Sequence, residues 1–340
     1  MCRDGAPTLP APRGPLTISL AAYLLGGGTS TLRTPPRDGD DPIANEDFQL
    51  ALYCCYELHY RSFAGVPDSL EWDPELIGFR AALEHRFERS LPALAADEAT
   101  DPSRIGETLF RLAEADDSPS LAAHLEAAAS AERFREFMIH RSAYQLKEAD
   151  PHTWAIPRLD GAAKAALVEI QADEYGGGEP TRMHSRLFAD AMSELGLDSS
   201  YGAYLDAVPA STLATVNLVS LFGLHRRWRG SLVGHLAMFE ITSPGPNRRY
   251  AAALRRLGFG QRATAFYDEH VEADSIHENI AAYDLAQGLA MAEPALTHDI
   301  LLGARALLHF EREMARRVTA AWDEGRTSLT DRGTQLTRAA

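Results

Sequence analysis

Apolar residues recur at helical spacing along most of the chain from Glu46 onward. No run of β-branched alternation is long enough to predict a strand. One such segment carries Phe48, Leu50, Leu52, Tyr53 and Tyr56, with polar residues between them. The same pattern of apolar and polar positions recurs in the segments 104–115, 120–149 and 160–175. The pattern predicts an all-α protein of about ten helices.

Prolines and glycines interrupt the helical pattern and suggest how the chain is divided. The interruptions are WDP at 72–74, the segment 149–159, GGGEP at 176–180 and ITSPGPN at 241–247. A short helix, Pro15–Leu25, is predicted ahead of a Gly-, Pro-, Asp- and Thr-rich stretch at 26–45, which has the composition of a mobile linker. We expect four parts: an N-terminal extension and flexible linker (1–45), an N-terminal helical region (46–120), a helical bundle (121–325) and a frayed tail (326–340).

Composition and charge narrow the classes of partner and compartment. The formal net charge of -15 argues against nucleic acid, because such binding draws most of its affinity from clustered cations. Three cysteines, Cys2, Cys54 and Cys55, supply neither a disulfide framework nor a zinc-ligand spacing, which favours a reducing compartment. No apolar run approaches the roughly 18–20 residues that cross a bilayer. We therefore expect a cytoplasmic protein that does not bind a membrane.

Two imidazoles and a carboxylate share one predicted helix face near the C-terminal third of the chain. His270, Asp274 and His277 stand at i, i+4 and i+7 and so project from the same side of a helix. This ligand mixture suits iron or manganese, whereas a structural zinc site would favour thiolates. The alternative is a solvated acidic helix face.

Other carboxylates and one more histidine extend this candidate site. Glu174 precedes a glycine break and His184 follows it, so that the two can approach each other from different helices. Glu148 stands just before a proline-bearing turn and can face the same cavity. Glu240 lies in an apolar helix, where a metal would compensate its charge. The alternative for Glu240 is an ion pair with one of the nearby arginines, Arg226, Arg227 and Arg229.

Taken in order, these residues resemble a known family. The succession Glu148, Glu174-Tyr-Gly, His184, Glu240 and His270-x3-Asp274-x2-His277 is similar to that of the haem-oxygenase-like diiron oxidases and oxygenases, often described as iron-containing redox enzymes. The resemblance covers roughly residues 125–320, and the segments 56–61 and 71–74 resemble the helical region that often precedes the family's core. It implies a haem-oxygenase-like helical bundle with an additional N-terminal helical region.

The resemblance also implies a cofactor and a distribution of ligands. Glu148, His184 and His277 would belong chiefly to one iron, and Glu174, His270 and Asp274 chiefly to the other, with Glu174 or Glu148 able to bridge. Glu240 would be a further ligand, and no catalytic residue beyond the metal ligands is implied. O2 would be the co-substrate, with a small-molecule substrate and an external electron donor. By proximity in sequence, candidates for the substrate pocket are Tyr144, Trp154, Tyr175, Leu221, Phe222 and Phe239.

The preferred reaction is N-oxygenation of an amine- or guanidine-type nitrogen in specialised metabolism, and several alternatives stay open. One is oxidative C–C or C–H cleavage, or desaturation, of an amino acid or fatty acid. A cationic substrate would require a pocket carboxylate beyond the metal ligands, whereas a fatty acid would require an apolar tunnel and a cationic anchor. Another alternative is a non-enzymatic helical binding protein whose His and Glu residues form surface ion pairs. Haem binding would need a proximal histidine, for which the chain offers only His140, and a homodimer through the N-terminal helices is expected.

Overall fold

The structure, a computed structural model, describes residues 6–35, 41–91, 100–128 and 130–331, apart from the side chains of residues 274 and 275. Every regular element within these ranges is helical, which confirms the all-α prediction. The α-helices of this part of the chain are α1 (Pro15–Leu25), α2 (Glu46–Glu57), α3 (Pro74–Glu88), α4 (Ile105–Glu114), α5 (Leu121–Ala128), α6 (Ala131–Gln145), α7 (Asp150–Thr153), α8 (Gly161–Glu174), α9 (His184–Glu194), α10 (Ala210–Leu224), α11 (Arg229–Thr242), α12 (Pro244–Arg256), α13 (Gln261–Asn279), α14 (Gly288–Ala292) and α15 (Thr297–Asp323). A π-helical segment, Ile280–Gln287, continues α13 directly.

The described ranges contain more helices than the ten or so expected from the pattern. The segment 120–149 forms two helices, because Ser130 caps the start of α6: its hydroxyl accepts a hydrogen bond from the backbone N–H of Arg133 at 3.4 Å. Short helices such as α7, with four residues, are too brief to show a hydrophobic period.

Helix α1 has the bounds expected from the sequence and docks on the start of α2. Pro15 occupies its first position, and the Asp47 carboxylate accepts hydrogen bonds from the backbone N–H groups of Leu16 and Thr17, both at 2.8 Å. Leu20 and Leu24 are buried beneath it. A mobile linker was expected over residues 26–45. Of this segment, residues 36–40 lie outside the described residues.

Helices α11 and α15 cross in close backbone contact at the centre of the bundle. A Cβ atom added at Gly234 would lie 1.8 Å from the carbonyl oxygen of Ile300, and one added at Gly303 would lie 1.9 Å from that of Ser231. Only glycine allows backbones to approach this closely. The crossing fixes α11, which carries Glu240, against the longest helix of the protein.

Helix α2 packs on α10 and thereby joins the N-terminal helical region to the bundle. The side-chain amide of Asn217 donates to Gln49 Oε1 at 2.7 Å and to the Gln49 carbonyl at 2.9 Å, with both residues buried. The proposed division at residue 120 stays a prediction.

The last described residues differ from the frayed tail expected from residue 326. Ser328 donates from its backbone and from its hydroxyl to Glu136 Oε2, at 2.9 and 2.8 Å, and Leu329 is buried. These contacts hold the segment 326–331 against α6, a tertiary interaction that its polar sequence does not reveal. Residues 332–340 of the expected tail lie outside the described residues.

Within the described ranges, no helix combines the length and apolar character required to span a membrane.

Candidate metal centre

Helices from across the bundle bring carboxylates and imidazoles to one buried place. Glu174 ends α8, His184 begins α9, Glu240 lies on α11, and α13 carries both His270 and His277. Glu148 lies in the turn between α6 and α7. None of the six side chains is more than 7% exposed, so they are not the surface ion pairs that the binding-protein alternative required.

Two unusual backbone turns place the carboxylates. Gly176, Gly177 and Gly178 all have positive φ angles, and a Cβ atom at Gly176 would lie 2.6 Å from the backbone nitrogen of Met183. This break lets α9 return toward α8, as the sequence predicted. On the other side of the site, Ala149 adopts φ 73°, a left-handed conformation that turns the chain sharply after Glu148.

Four residues form a first ligand group, made of Glu148, Glu174, His184 and His270. Each offers a ligand atom, and these atoms all lie within 4.8 Å of one another. His184 Nδ1 lies 3.0 Å from Glu174 Oε2, and His270 Nε2 lies 3.6 Å from Glu148 Oε1.

A second ligand group consists of Glu174, Glu240 and His277. Its ligand atoms also lie within 4.8 Å of one another, and His277 Nδ1 lies 3.7 Å from Glu240 Oε2. Glu174 belongs to both groups. The geometry therefore describes two adjacent positions that share one carboxylate.

The two histidines of α13 are oriented by hydrogen bonds from the ring nitrogen that faces away from the ligand groups. His270 Nδ1–H donates to the carbonyl of Phe266 at 2.7 Å, which directs Nε2 toward Glu148. His277 Nε2–H donates to Asp173 Oδ2 at 3.0 Å, which directs Nδ1 toward Glu240. Metal-binding histidines characteristically donate their second N–H to a carboxylate or carbonyl. The sequence offered no signal for Asp173, because its contact with α13 is purely tertiary.

Burial and neighbouring charges shift the pKa values of Glu148, Glu174 and His184 in the first ligand group. Burial alone would raise the pKa of Glu174, but the attraction of His184, His270 and His277 outweighs it and lowers that pKa to about 2. Burial raises the pKa of Glu148, against the opposing attraction of His270. Burial opposes the charged form of His184, yet Glu174 and Glu148 raise its pKa. The group thus concentrates negative charge on Glu174, where a cation would be held.

The donor atoms fit a metal ion better than they fit one another. Glu148 Oε2 is buried and forms no hydrogen bond with a described residue, and the buried atoms Glu174 Oε2 and His184 Nδ1 face each other at 3.0 Å without the geometry of a hydrogen bond. Each unsatisfied buried polar atom costs about 1–3 kcal/mol, a cost that coordination would remove. Oxygen and imidazole donors without thiolates suit iron.

The structure groups the expected ligands differently from the assignment to two irons that the resemblance implied. His184 lies with His270, rather than with His277 as the family pattern implied, because α9 packs beside the N-terminal half of α13. The side chain of Asp274 lies outside the described residues. Of the arginines considered as partners for Glu240, Arg227 pairs with Glu88 and Arg229 with Glu293, while Glu240 faces His277.

A cavity of about 320 Å³, here called the outer cavity, reaches the first ligand group at His270. Aromatic side chains such as Phe137, Phe188 and Phe239 line it, together with Arg141 and Glu311. The Arg141 guanidinium donates to both carboxylate oxygens of Glu311, at 2.8 and 2.7 Å. The volume of the outer cavity suits a small molecule.

Only one of the expected pocket residues lines the outer cavity. Phe239 does so, and Tyr144 lines smaller cavities beside the ligand groups. Proximity in sequence was a poor guide, because neighbours of a ligand on a helix mostly face elsewhere. The remaining four pack or hydrogen-bond in other places: Tyr175 donates to Asp150, Phe222 packs on Trp228, Trp154 approaches Gly223, and Leu221 is fully buried.

His140 does not have the surroundings of a haem ligand. Its Nδ1 lies 2.7 Å from the Thr212 hydroxyl and its Nε2 lies 2.9 Å from the Ser328 hydroxyl. Both ring nitrogens are therefore engaged with protein hydroxyls.

Comparisons with known proteins agree with this fold. Residues 135–312, just over half of the chain, match the family model described as an iron-containing redox enzyme. The protein is thus an all-α oxidoreductase with a haem-oxygenase-like bundle. It belongs to the iron-containing redox enzyme family, which confirms the resemblance in the sequence.

Two individual proteins are similar to this chain. Nitrosourea synthase from Streptomyces achromogenes subsp. streptozoticus is 27% identical over 179 residues, which are 52% of this chain and 38% of that protein. The chain therefore matches well under half the length of this relative. A CADD-like protein of unknown function from Nostoc punctiforme superimposes with a TM-score of 0.50 and 17% identity over 63% of this chain and 97% of the other. That likeness concerns the fold alone.

Proposed function

We propose that this protein holds two iron ions and uses O2 to oxygenate an amine- or guanidine-type nitrogen of a small molecule. The observation that carries the proposal is the pair of buried ligand groups that share Glu174. Iron held by these residues would supply the electrons that activate O2. The similarity to a nitrosourea synthase supports nitrogen as the oxidised atom, since a nitrosourea contains a nitrogen–oxygen bond.

The chain's own residues hold and shield such a centre. Glu148, His184 and His270 would bind one ion, Glu240 and His277 the other, and Glu174 both. The hydrogen bonds from His270 to Phe266 and from His277 to Asp173 keep the imidazoles in position as charge at the centre changes. Aromatic walls around the outer cavity exclude bulk water from the reacting nitrogen.

The outer cavity supports a cationic substrate. Glu311 and Asp116 are carboxylates on its wall that belong to neither ligand group. A protonated amine or guanidinium can replace part of the contact that Glu311 makes with Arg141. Aromatic faces such as those of Phe137 and Tyr250 add a cation–π surface.

The same cavity also favours a second candidate, oxidative C–C or C–H cleavage of a carboxylic acid. Arg141 and Arg312 line the wall and offer an anchor for a substrate carboxylate. An amino acid could use both signs of charge, whereas a fatty acid would use the arginines alone.

Turnover assays with iron-loaded protein test these proposals. The parent is loaded with Fe(II) without oxygen and mixed with O2 in the presence of amines, guanidines, amino acids or fatty acids. We expect O2 consumption coupled to hydroxylated or nitroso products from the nitrogen compounds, and loss of this activity in His270→Ala. His298→Ala, at an exposed histidine, is the matched control. Oxidation of carbon alone would favour the second candidate, and no O2 consumption would overturn both.

The cellular setting is part of the same proposal. We infer an external electron donor, a cytoplasmic location and a homodimer through the N-terminal helices. Steady turnover that requires an added reductase, together with the mass of the protein in solution, tests the first and last of these inferences.

A further inference from the structure

A second, much smaller cavity lies among the ligand groups. This inner cavity has a volume of about 10 Å³ and is lined by Glu148, Glu174, Glu240 and His270. Tyr144 and Gln171 also line it, and Gln171 belongs to neither ligand group. The space is sufficient for about one water-sized ligand.

Gln171 presents an amide donor at this cavity. It stands one turn before Glu174 on α8, so both side chains project from the same face. The side chain is 3% exposed, and its Nε2 has no hydrogen-bond partner among the residues that the structure describes. A buried N–H group without an acceptor is costly, which calls for an acceptor in the cavity.

A chain of hydroxyl groups holds the Gln171 amide in this orientation. The Thr153 hydroxyl donates to Gln171 Oε1 at 2.7 Å, the shortest of its contacts. The Tyr175 hydroxyl lies 2.9 Å from Thr153 and donates to Asp150 Oδ1 at 2.8 Å. The Thr153 hydroxyl carries one proton, and the amide oxygen of Gln171 is the nearest of the acceptors around it. The amide nitrogen is thereby turned toward the inner cavity.

We propose that Gln171 donates a hydrogen bond to a small ligand bound through oxygen or nitrogen in the inner cavity, and that Thr153 positions it for this role. The inference rests on the proposed metal centre, because the ligand would be held jointly by metal and amide. It adds a polar contact from a residue that lines the inner cavity and belongs to neither ligand group. Ligands that lack a lone pair in this direction would bind more weakly.

Azide binding to the iron-loaded, oxidised protein tests the proposal, because azide is a small anion that accepts a hydrogen bond. Its affinity is measured from the charge-transfer absorption, and its infrared stretch reports hydrogen bonding directly. Gln171→Met keeps the length of the side chain but removes the donor, and we expect azide affinity to fall about tenfold. Thr153→Val should weaken azide in the same direction, whereas Thr153→Ser keeps the hydroxyl and should match the parent. Thermal unfolding and iron content confirm that each variant is folded and loaded.

The outcomes separate this inference from the proposed function. If the parent retains no iron, both are overturned. If the parent binds iron and Gln171→Met binds azide with the same affinity and the same infrared stretch, the donor role alone is overturned. A loss of iron affinity with unchanged azide binding would assign Gln171 to positioning the metal ligands, and this also overturns the donor role.

Discussion

At the scale of single residues, Glu174 is the point at which the two ligand groups meet. Its carboxylate is 7% exposed and is surrounded by three imidazoles, and their attraction lowers its pKa to about 2. These neighbours therefore favour its ionised form. A change at this one carboxylate therefore removes a donor atom from both ligand groups.

The first prediction concerns iron content. Glu174→Ala removes a donor from both ligand groups, so we expect the variant to hold well below about one iron per chain, whereas Glu148→Ala should keep about one in the second group. Equilibrium dialysis against Fe(II) followed by metal analysis measures this. Glu169→Gln changes an exposed carboxylate on the same helix and serves as the control. Equal iron content in the two alanine variants would contradict the sharing of Glu174.

The second prediction concerns pH and His140. Burial lowers the pKa of this histidine to about 4, although the charge of Glu136 opposes the shift. As pH falls from about 6.5 to about 4, the unfolded chain takes up a proton at this position and the native protein does not, so the free energy of unfolding decreases. We expect this contribution to approach about 3 kcal/mol near pH 4 and to stay constant below it.

Urea unfolding of the parent and of His140→Gln at several pH values isolates that contribution. Glutamine retains a donor and an acceptor for Thr212 and Ser328 but does not titrate. The variant should therefore gain stability relative to the parent as pH falls through this range. Parallel pH profiles for the two proteins would show that His140 does not carry the effect.

The sequence predicts the types of the site residues better than their grouping. Helical arithmetic correctly indicates that His270 and His277 share a face, and both are buried at the site. It cannot indicate which neighbouring helix faces each turn, and so it did not anticipate that His184 lies with His270. Asp173 and Gln171 were missed for the same reason, because their contacts depend on how α8 packs.

At the scale of helices, the crossing of α11 and α15 depends on two glycines. Gly234 and Gly303 let the backbones touch, and the Ser231 hydroxyl donates to the carbonyl of Asp299 at 3.0 Å beside them. Because α11 also carries Glu240, the crossing sets the distance between this ligand and α13.

The third prediction is that alanine at this crossing is strongly destabilising. In Gly303→Ala the new methyl group collides with backbone, which cannot rotate away, so we expect a loss of at least about 3 kcal/mol, the upper end for overpacking. Gly78→Ala is the matched control: Gly78 lies inside α3 with open space around it, and alanine there should add about 0.5–1 kcal/mol. Urea unfolding measures both, and a neutral Gly303→Ala would be inconsistent with the close contact.

Helix boundaries were predictable where the chain itself marks them. Pro15 and the glycines at 176–178 bound their helices as expected, because proline and positive-φ glycine act locally. The π-helical segment 280–287 gave no such signal. It begins three residues after His277 and packs against α8 and α11.

At the scale of the whole molecule, a buried charge pair joins the N-terminal helical region to the bundle. Lys147 Nζ lies 2.9 Å from Glu57 Oε2, and neither residue is more than 1% exposed. The Tyr201 hydroxyl also donates to Glu57, at 2.7 Å, and the ammonium lies over the ring of Tyr60. The sequence does not reveal this pairing, since the two residues are 90 positions apart.

The fourth prediction follows from this pair. Lys147→Met leaves the Glu57 charge buried without its counter-ion, and we expect the free energy of unfolding to fall by about 3–5 kcal/mol. Adding Glu57→Gln should recover much of that loss, because no charge then remains buried. A double-mutant cycle in urea measures the coupling, and additive effects of the two changes would contradict a direct pair.

The overall fold class was accessible from the sequence, whereas the packing that unites its parts was not. Helical periodicity and the absence of strand patterns are local properties and suffice for an all-α prediction. The contacts of α2 with α10 and of Ser328 with α6 join distant segments, which a single sequence does not encode in any visible pattern.

The left-handed backbone at Ala149 has a consequence for related sequences. Side chains with a branched Cβ are strongly disfavoured at a positive φ angle, and glycine adopts it most readily. A homologue that keeps the same turn should therefore carry a small residue immediately after its counterpart of Glu148. A valine or isoleucine there would mark a protein in which the first carboxylate is presented by a different path of the chain, and this distinguishes subgroups from sequence alone.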